Sequence, residues 1–256
     1  MKRLLFSRSQ WNQAGGCRSG IRLTSAALFF VMGALVFSGC ADDDESEEAR
    51  PVVSPPTSLP GLGAEEDLRG AVRLPSLQAA GLSLPEINTE PGESGTLEDF
   101  NFQAAPGSFV ALHFGFANCP DICPLTAHDL IAARKYLTPE EAERIDLAFI
   151  TIDPKHDTPE KLADYVRVFS DDYRAMRTDD TEQFASVTDQ LGVYVKEVMD
   201  PEAGICTFAH TATVFVLDSK GEVVVEWSFG QPVELMAADM RILLARADAE
   251  AGESAT

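Results

Sequence analysis

Two cysteines, Cys119 and Cys123, follow directly after a largely apolar run at residues 108–116. A continuous run of this kind is typical of a central strand that is buried on both faces. A helical pattern follows at residues 124–137, so the cysteines mark a strand-to-helix junction and Cys119 is expected to open the helix. Residues four apart lie on one face of a helix, which lets both sulfurs point at the same atom. The junction therefore predicts a fold in which a buried strand ends at a dithiol.

The position of Cys119 also predicts reactive thiol chemistry. Unpaired N–H groups and the positive end of the helix dipole lower the pKa of a thiol at a helix start. The thiolate is the form that binds a metal ion or attacks a disulfide. Two inert buried thiols are the alternative, and this is common for isolated cysteines. The spacing and the strand-to-helix junction favour a redox-active or metal-binding pair.

The N-terminal segment has the pattern of an export signal. Five basic residues lead into an uncharged stretch at residues 23–39, and Cys40 follows a serine and a glycine. The arrangement resembles a bacterial lipoprotein signal, with residues 1–39 as signal peptide and Cys40 as the lipidated first residue. Phe37 stands where such signals usually carry leucine. An uncleaved anchor is the alternative, although the apolar run is shorter than the ~20 residues of a membrane-spanning helix. Either reading predicts a domain outside the cytoplasm, facing the periplasm if the cell is Gram-negative.

Composition divides the rest of the chain into a tether, a domain and a tail. Residues 40–69 are rich in acidic residues and proline and are expected to form a flexible tether. Residues 70–248 contain enough apolar side chains for one core, and residues 249–256 are expected to be a disordered tail. Without the signal peptide the chain has 15 basic and 41 acidic residues, a formal charge of −26. Such a charge excludes nucleic acid as an expected partner.

Apolar runs and turn signals predict an alternation of strands and helices within the domain. The predicted strands are 108–116, 145–152, 193–198, 211–217 and 222–227. The predicted helices are 124–137, a short one from the capping pattern at Thr138, one from about 158 to 169, 181–191 and 232–247. This order describes a mixed sheet with helices on both faces. A redox-type cysteine pair after the first long strand makes an α/β thioredoxin-like fold the natural candidate.

One histidine is well placed to complete a site with the cysteines. His210 comes immediately before the predicted strand at residues 211–217. In a thioredoxin-like sheet the loop that enters this strand faces the first helix, so His210 is expected to meet both sulfurs. A loop histidine bonded to the backbone is the alternative.

The other three histidines are weaker candidates. His128 lies about 180° around the predicted helix from Cys119, on the wrong face. His113 falls within a buried strand and is expected to be a satisfied core histidine. His156 lies in a turn and is expected to be solvated or to cap the next helix.

The donor set indicates which metal such a site would prefer. Two thiolates and one imidazole form a soft set of low coordination number, which suits Cu(I) and can hold Cu(II) if an oxygen ligand joins. A structural zinc ion would need four ligands, and the sequence offers no clear fourth. The expected cargo is one copper ion per chain.

Three blocks of sequence resemble one family. They are residues 114–124 around the cysteines, residues 152–160, and His210 ahead of residues 217–221. Together they resemble the Sco/SenC family of membrane-tethered, thioredoxin-like copper proteins, over about residues 82–247. The resemblance implies that Cys119, Cys123 and His210 are copper ligands. It also implies a role in building the dinuclear copper (Cu-A) centre of cytochrome c oxidase, with the copper-bearing oxidase subunit, or another copper acceptor, as partner.

The sequence departs from the family pattern at Ala209, where the family usually has an acidic residue before the histidine. Cys206 is extra, and is expected to be buried or inert, with a fourth sulfur ligand or an alternative disulfide as the other readings. Asp121 is expected to be an exposed turn carboxylate, with partner docking as its alternative. Asp153 and Asp157 are expected to be turn and cap residues.

Two other functions remain open for the same dithiol. A thiol–disulfide oxidoreductase could reduce the cysteines of an apo copper site, since two sulfurs can serve both roles through thiolate exchange. A redox or copper sensor is the third hypothesis. Ordinary thioredoxin-type enzymes have two residues between their cysteines, whereas this chain has three. The longer spacing favours holding a metal over a fast dithiol couple.

Overall fold

The computed structural model describes residues 68–90, 92–93, 95–200 and 205–254, with backbone only at residues 200, 205, 206 and 254. The predicted signal peptide, Cys40 and almost all of the predicted tether lie outside these residues. The chain divides into two compact units. One comprises residues 1–54 and 199–206, of which few are described. The other comprises residues 55–198 and 207–256 and contains the main sheet and both cysteines of the junction.

Nine strands and five helices are formed by the described residues. The strands are β1 Ser83–Ile87, β2 Thr96–Asn101, β3 Phe109–Gly115, β4 Ile145–Thr151, β5 Arg174–Met176, β6 Val195–Asp200, β7 Ile205–His210, β8 Thr213–Leu217 and β9 Val223–Ser228. The helices are α1 Ile122–Arg134, α2 Pro139–Ala142, α3 Pro159–Arg167, α4 Thr181–Leu191 and α5 Val233–Ser254. No helix among the described residues is both long enough and apolar enough to cross a membrane.

Seven strands form one mixed sheet in the order β2-β1-β5-β4-β3-β8-β9, while β6 and β7 pair separately. β3, β4 and β5 run parallel, and the flanking pairs are antiparallel. The β3–α1–β4 and β4–α3–β5 crossovers step the same way across the sheet, so right-handed connections put α1 and α3 on one face. α1 also packs against α5. The mixed sheet with flanking helices confirms the predicted thioredoxin-like α/β fold.

The two central strands form as their composition predicts. Every residue of β3 is buried, and β4 is buried except at Asp146. The capping box at Thr138 and the helix at Thr181–Leu191 are also present as predicted. The hairpin between β8 and β9 turns at Gly221, whose φ of 74° is in the left-handed region that favours glycine.

Several predicted elements differ from the structure. β1, β2, β5 and β7 were not predicted, and His210 ends β7 rather than lying in a loop before β8. α5 continues past the predicted end at residue 247 to Ser254, over most of the residues expected to be a disordered tail. The tail is rich in alanine and glutamate, which are good helix formers, so the helix extends beyond the last buried turn.

A buried carboxylate fastens the start of the described domain. Asp239 in α5 is fully buried and accepts hydrogen bonds from the backbone N–H groups of Arg69 and Gly70, at 2.6 and 2.9 Å, and from the Trp227 indole at 2.8 Å. Gly70 fits because a Cβ there would lie 2.5 Å from the Val225 side chain. The chain therefore joins the folded domain at a fixed point beside β9 and α5.

Candidate metal centre

The cysteine junction is a tight turn followed by a helix. β3 ends at Gly115, and the Cys119 N–H donates to the Phe116 carbonyl oxygen at 3.0 Å. α1 begins at Ile122 after the N-cap residue Asp121, so the expectation that Cys119 opens the helix was wrong. The physical reason is that the Cys119 N–H closes the turn, which places Cys119 ahead of the helix. Asp121 is exposed, as predicted, and makes no side-chain cap.

The Cys119 sulfur occupies the position that a capping oxygen usually takes. The Cys123 backbone N–H donates to Cys119 Sγ at 3.4 Å. N–H groups of a first helical turn have no partner within the helix, so a sulfur that accepts one of them is held over the helix start. Cys119 is half-buried and Cys123 is buried at 1% exposure. The two sulfurs are thus held together, with Cys119 on the accessible side.

Cys123 reaches its place because Gly115 has no side chain. A Cβ on Gly115 would lie 2.8 Å from Cys123 Sγ and 2.8 Å from the Phe149 ring. Both distances are shorter than side-chain atoms tolerate, so only glycine lets the start of α1 approach the end of β3 this closely. No other residue at this position would leave room for the sulfur without a shift of α1 or Phe149.

The pKa values of the two thiols are shifted in opposite directions. The hydrogen bond from the Cys123 thiol lowers the pKa of Cys119 to about 5, with help from the backbone N–H groups of Asp121 and Cys123. Donating that hydrogen bond, together with burial, raises the pKa of Cys123. Cys119 is therefore the thiolate of the pair, and Cys123 is the thiol that donates to it.

His210 faces the buried thiol with a defined nitrogen. Its Nε2 lies 3.9 Å from Cys123 Sγ, and its Nδ1 lies 3.0 Å from the Thr211 carbonyl oxygen. A carbonyl oxygen only accepts, so Nδ1 carries the proton and Nε2 presents its lone pair to the sulfur. The Phe116 ring packs edge-on against the imidazole, with ring centroids 6.4 Å apart. Cys119, Cys123 and His210 thus form a chain of contacts, although His210 was expected to come from a loop.

The remaining histidines are exposed or have contacts with other residues. His128 is exposed over 77% of its side chain. His156 contacts Asp153, with Nδ1 2.8 Å from Oδ1, and its side chain is 59% exposed. His113 is buried, and desolvation lowers its pKa to about 3, with a smaller effect from His210. Its Nδ1 lies 3.3 Å from the Tyr173 hydroxyl, but its Nε2 has no partner among the described residues, so the predicted core histidine is only half satisfied.

Sequence reasoning missed the role of Asp157. It was expected to be a turn or cap residue, but Thr158 caps α3 and Asp157 is fully buried. Its carboxylate accepts the Ala117 N–H at 2.9 Å and the Thr151 hydroxyl at 2.7 Å. Aspartate before threonine and proline is also the pattern of an ordinary helix start, so no local signal separates the two cases. The predicted turn is present, because the Asp153 carbonyl oxygen accepts the Asp157 N–H.

The described residues contain no group of three histidine, cysteine, aspartate or glutamate side chains already arranged around a metal position. The donor chemistry nevertheless fits a soft metal, since a thiolate, a thiol and an imidazole lone pair follow one another in a chain of contacts. The Cys206 side chain lies outside the described residues, so its predicted role stays a prediction.

Comparison with known proteins identifies the family. The model of the SCO1/SenC family matches residues 94–245, more than half of the chain. The chain belongs to the SCO1/SenC family. A SCO2-like protein of Rickettsia conorii is 28% identical over 174 residues, which is 65% of this chain and 84% of that protein.

Solved Sco structures share the fold. ScoI of Bradyrhizobium japonicum, whose structure has copper bound, is 26% identical with a TM-score of 0.51 over 64% of this chain and 98% of that one. Apo Sco1 of Thermus thermophilus is also 26% identical, with a TM-score of 0.52 over 73% of this chain and 99% of that one. These likenesses agree with the predicted family and fold.

Proposed function

We propose that this SCO1/SenC protein is a copper metallochaperone that binds one copper ion through Cys119, Cys123 and His210. The observation that carries the proposal is the unbroken series of contacts from Cys119 Sγ through Cys123 to His210 Nε2. Copper is the cargo of such a protein, to be bound and passed on. Family membership and the copper-bound ScoI structure support this choice of metal.

The protonation states of the site favour uptake of Cu(I). Cys119 is already a thiolate at neutral pH because its pKa is lowered to about 5. The proton of the Cys123 thiol is released when a copper ion binds, because the positive charge of the ion then stabilises both thiolates. The His210 lone pair is oriented before binding by the Thr211 carbonyl oxygen, as outer contacts commonly orient ligating histidines. Two sulfurs and one nitrogen satisfy Cu(I) and leave room for an oxygen ligand on Cu(II).

The acceptor and the location are part of the proposal. The acceptor is the copper-bearing subunit of cytochrome c oxidase at its Cu-A site, or another copper acceptor in the same compartment. A lipid on Cys40 and a tether at residues 40–69 hold the copper-binding domain, residues 70–248, at the outer side of a bacterial membrane. A tethered domain meets a membrane-bound acceptor at a raised effective concentration.

A thiol–disulfide exchange role is the second candidate, and the thiol pair supports it. Cys119 is a partly exposed thiolate and Cys123 is a buried thiol, which matches an attacking and a resolving sulfur. Such a pair could reduce the cysteines of an apo copper site before metal transfer. The two candidates differ in what the acceptor receives. A chaperone passes on a copper ion, whereas an oxidoreductase passes two electrons and two protons to the acceptor disulfide while Cys119 and Cys123 close into a disulfide.

Anaerobic copper titration of the purified protein tests the ligand set. The wild type should bind one copper per chain, and its Cu(II) form should show intense thiolate-to-copper charge-transfer absorption. Alanine at Cys119, Cys123 or His210 should abolish tight binding in each case. His128→Ala is the matched control, because that side chain is exposed and should leave binding unchanged. An His210→Ala protein with full affinity and an unchanged spectrum would refute the ligand set.

A further inference from the structure

Asp157 has more partners than a helix start requires. It lies in the loop between β4 and α3, and its carboxylate is fully buried. Oδ2 accepts the Ala117 N–H and the Thr151 hydroxyl, and Oδ1 accepts the Lys161 ammonium group at 3.0 Å. Burial of a carboxylate is unfavourable unless charge and hydrogen bonds compensate it. These three contacts satisfy the carboxylate, and only the contact with Ala117 reaches into another part of the fold.

Ala117 belongs to the turn that carries Cys119. The turn is closed from inside by the Cys119 N–H, which donates to Phe116, so the Ala117 N–H is free to point outward to Asp157. Just before the turn, the Gly115 carbonyl oxygen accepts the Ile152 N–H at 2.8 Å. Just after it, Cys119 Sγ accepts an N–H from α1. The Asp157 carboxylate is therefore the contact that fixes the middle of this segment.

The loop that carries Asp157 is itself held in place. The Arg177 side chain donates to the Asp157 carbonyl oxygen at 2.8 Å and to the Pro154 carbonyl oxygen at 2.7 Å. The Asp157 N–H donates to the Asp153 carbonyl oxygen at 2.9 Å. With the backbone fixed on both sides, the carboxylate has a defined position from which to hold the turn.

We propose that Asp157 is a positioning residue for Cys119. Its hydrogen bond to the Ala117 N–H fixes the turn so that Cys119 Sγ stays within reach of a metal ion bound by Cys123 and His210. This inference rests on the proposed copper function. Contacts behind metal ligands typically contribute about 10- to 100-fold to metal affinity, which sets the size of the expected effect.

The test compares variants that remove one partner of the carboxylate at a time. Lys161→Met removes the ammonium group and Thr151→Val removes the hydroxyl, and both leave the contact between Asp157 and Ala117. Asp157→Leu is made in the Lys161→Met background, because leucine is similar in size but has no oxygen to accept the Ala117 N–H, and no lysine is left without its carboxylate. Three quantities are measured for each folded protein: the hydrogen exchange rate of the Ala117 amide, the chemical shifts of Cys119 without copper, and the Cu(I) affinity.

The double variant should exchange the Ala117 amide about tenfold faster than Lys161→Met. Its Cys119 shifts should move, and its Cu(I) affinity should fall at least about tenfold. Lys161→Met and Thr151→Val should keep wild-type affinity. Unchanged affinity in the double variant, or an equal loss in the two single variants, would overturn the positioning role. If the wild type binds no copper, the proposed function fails, whereas Ala117 exchange and the Cys119 shifts still decide whether Asp157 fixes the turn.

Discussion

Cys119 and Cys123 are chemically identical side chains with opposite pKa shifts, and their surroundings explain why. Cys119 lies ahead of α1, where it accepts hydrogen bonds from the Cys123 thiol and from backbone N–H groups, so its thiolate is favoured. Cys123 is buried against Gly115 and Phe149, where a second negative charge beside Cys119 is disfavoured. The pair therefore presents one accessible nucleophile and one protected thiol.

Alkylation of the reduced, copper-free protein should reveal this asymmetry. The rate at which iodoacetamide modifies Cys119 should follow the thiolate fraction, so it should rise as the pH increases through about 5 and be constant at neutral pH. Cys123 should react far more slowly, since it is both buried and protonated. Mass spectrometry of the labelled peptides separates the two sites. A midpoint near 9.0, the ordinary value of a thiol, would contradict the proposed ionisation of Cys119.

Gly115→Ala should damage the site through its packing alone. The new Cβ would lie 2.8 Å from Cys123 Sγ and 2.8 Å from the Phe149 ring, so both the start of α1 and Phe149 have to move. Overpacking of this kind costs about 1–3 kcal/mol, measurable as a lower midpoint of urea denaturation. The thiolate-to-copper absorption should shift as well, because the displaced atom is a proposed ligand. Gly252→Ala is the control, since a Cβ there meets nothing within 4 Å and should neither destabilise the protein nor change the spectrum.

Residues with a strong local signature could be found from the sequence, and residues defined by distant contacts could not. Cys119 and Cys123 stand out because few residue types perform their chemistry, and His210 because it precedes a predicted strand. Asp157 resembles an ordinary residue before a helix, and its partner is a backbone N–H forty positions earlier. Gly115 was not singled out, because what requires glycine there is the close approach of Cys123 Sγ. No spacing rule predicts that contact.

At the scale of elements, the distance between the two sulfurs is set by the turn at residues 116–119 and by the start of α1. Cys119 lies in the turn and Cys123 in the helix, and the Cys123 N–H donates to Cys119 Sγ, so the two side chains are held next to each other. In the absence of copper, mild oxidation should therefore join Cys119 to Cys123 in a disulfide. That form should not take up Cu(I) until it is reduced. Mass spectrometry identifies the bridge, and Cys206 as the main partner of either residue would contradict this pairing.

Several of the elements that sequence patterns predicted are almost uniformly buried or begin with a capping residue. β3 and β4 are buried along their length, and α3 begins at a threonine and a proline. The missed strands lack such signals. β2 exposes all of its residues but Phe100, and β5 has only three residues. β2 is an edge strand that pairs with β1, and β5 pairs with β1 and β4, which lie far away in the sequence. Periodicity within a short window does not detect such pairing.

At the scale of the whole molecule, the fixed start of the domain determines how the proposed tether works. The Asp239 carboxylate accepts the Arg69 and Gly70 N–H groups, so a force on the preceding residues is transmitted to the domain beside β9 and α5. The metal centre contains none of these residues. A tether attached in this way limits where the domain can go and leaves the proposed ligands unstrained.

Cells that lack this protein should have reduced cytochrome c oxidase activity, and added copper should restore part of it. Free metal can replace delivery only inefficiently. In complemented cells, Cys40→Ala should weaken function less than Cys119→Ala, because an anchor affects encounter frequency whereas the thiolate binds the metal. Oxidase activity per cell at limiting copper is the measurement. Normal oxidase assembly in the deletion strain at limiting copper would favour the sensor or thiol exchange hypotheses.

The hydrogen bond between His210 Nδ1 and the Thr211 carbonyl oxygen makes the imidazole tolerant of substitutions around it. The acceptor is a main-chain atom, which every amino acid supplies. Exchanging the side chain at position 209 therefore leaves the tautomer and the direction of the Nε2 lone pair unchanged. The alanine at 209, where the family usually has an acidic residue, illustrates this freedom. A substitution next to His210 can therefore change the charge near the metal centre without changing the orientation of Nε2.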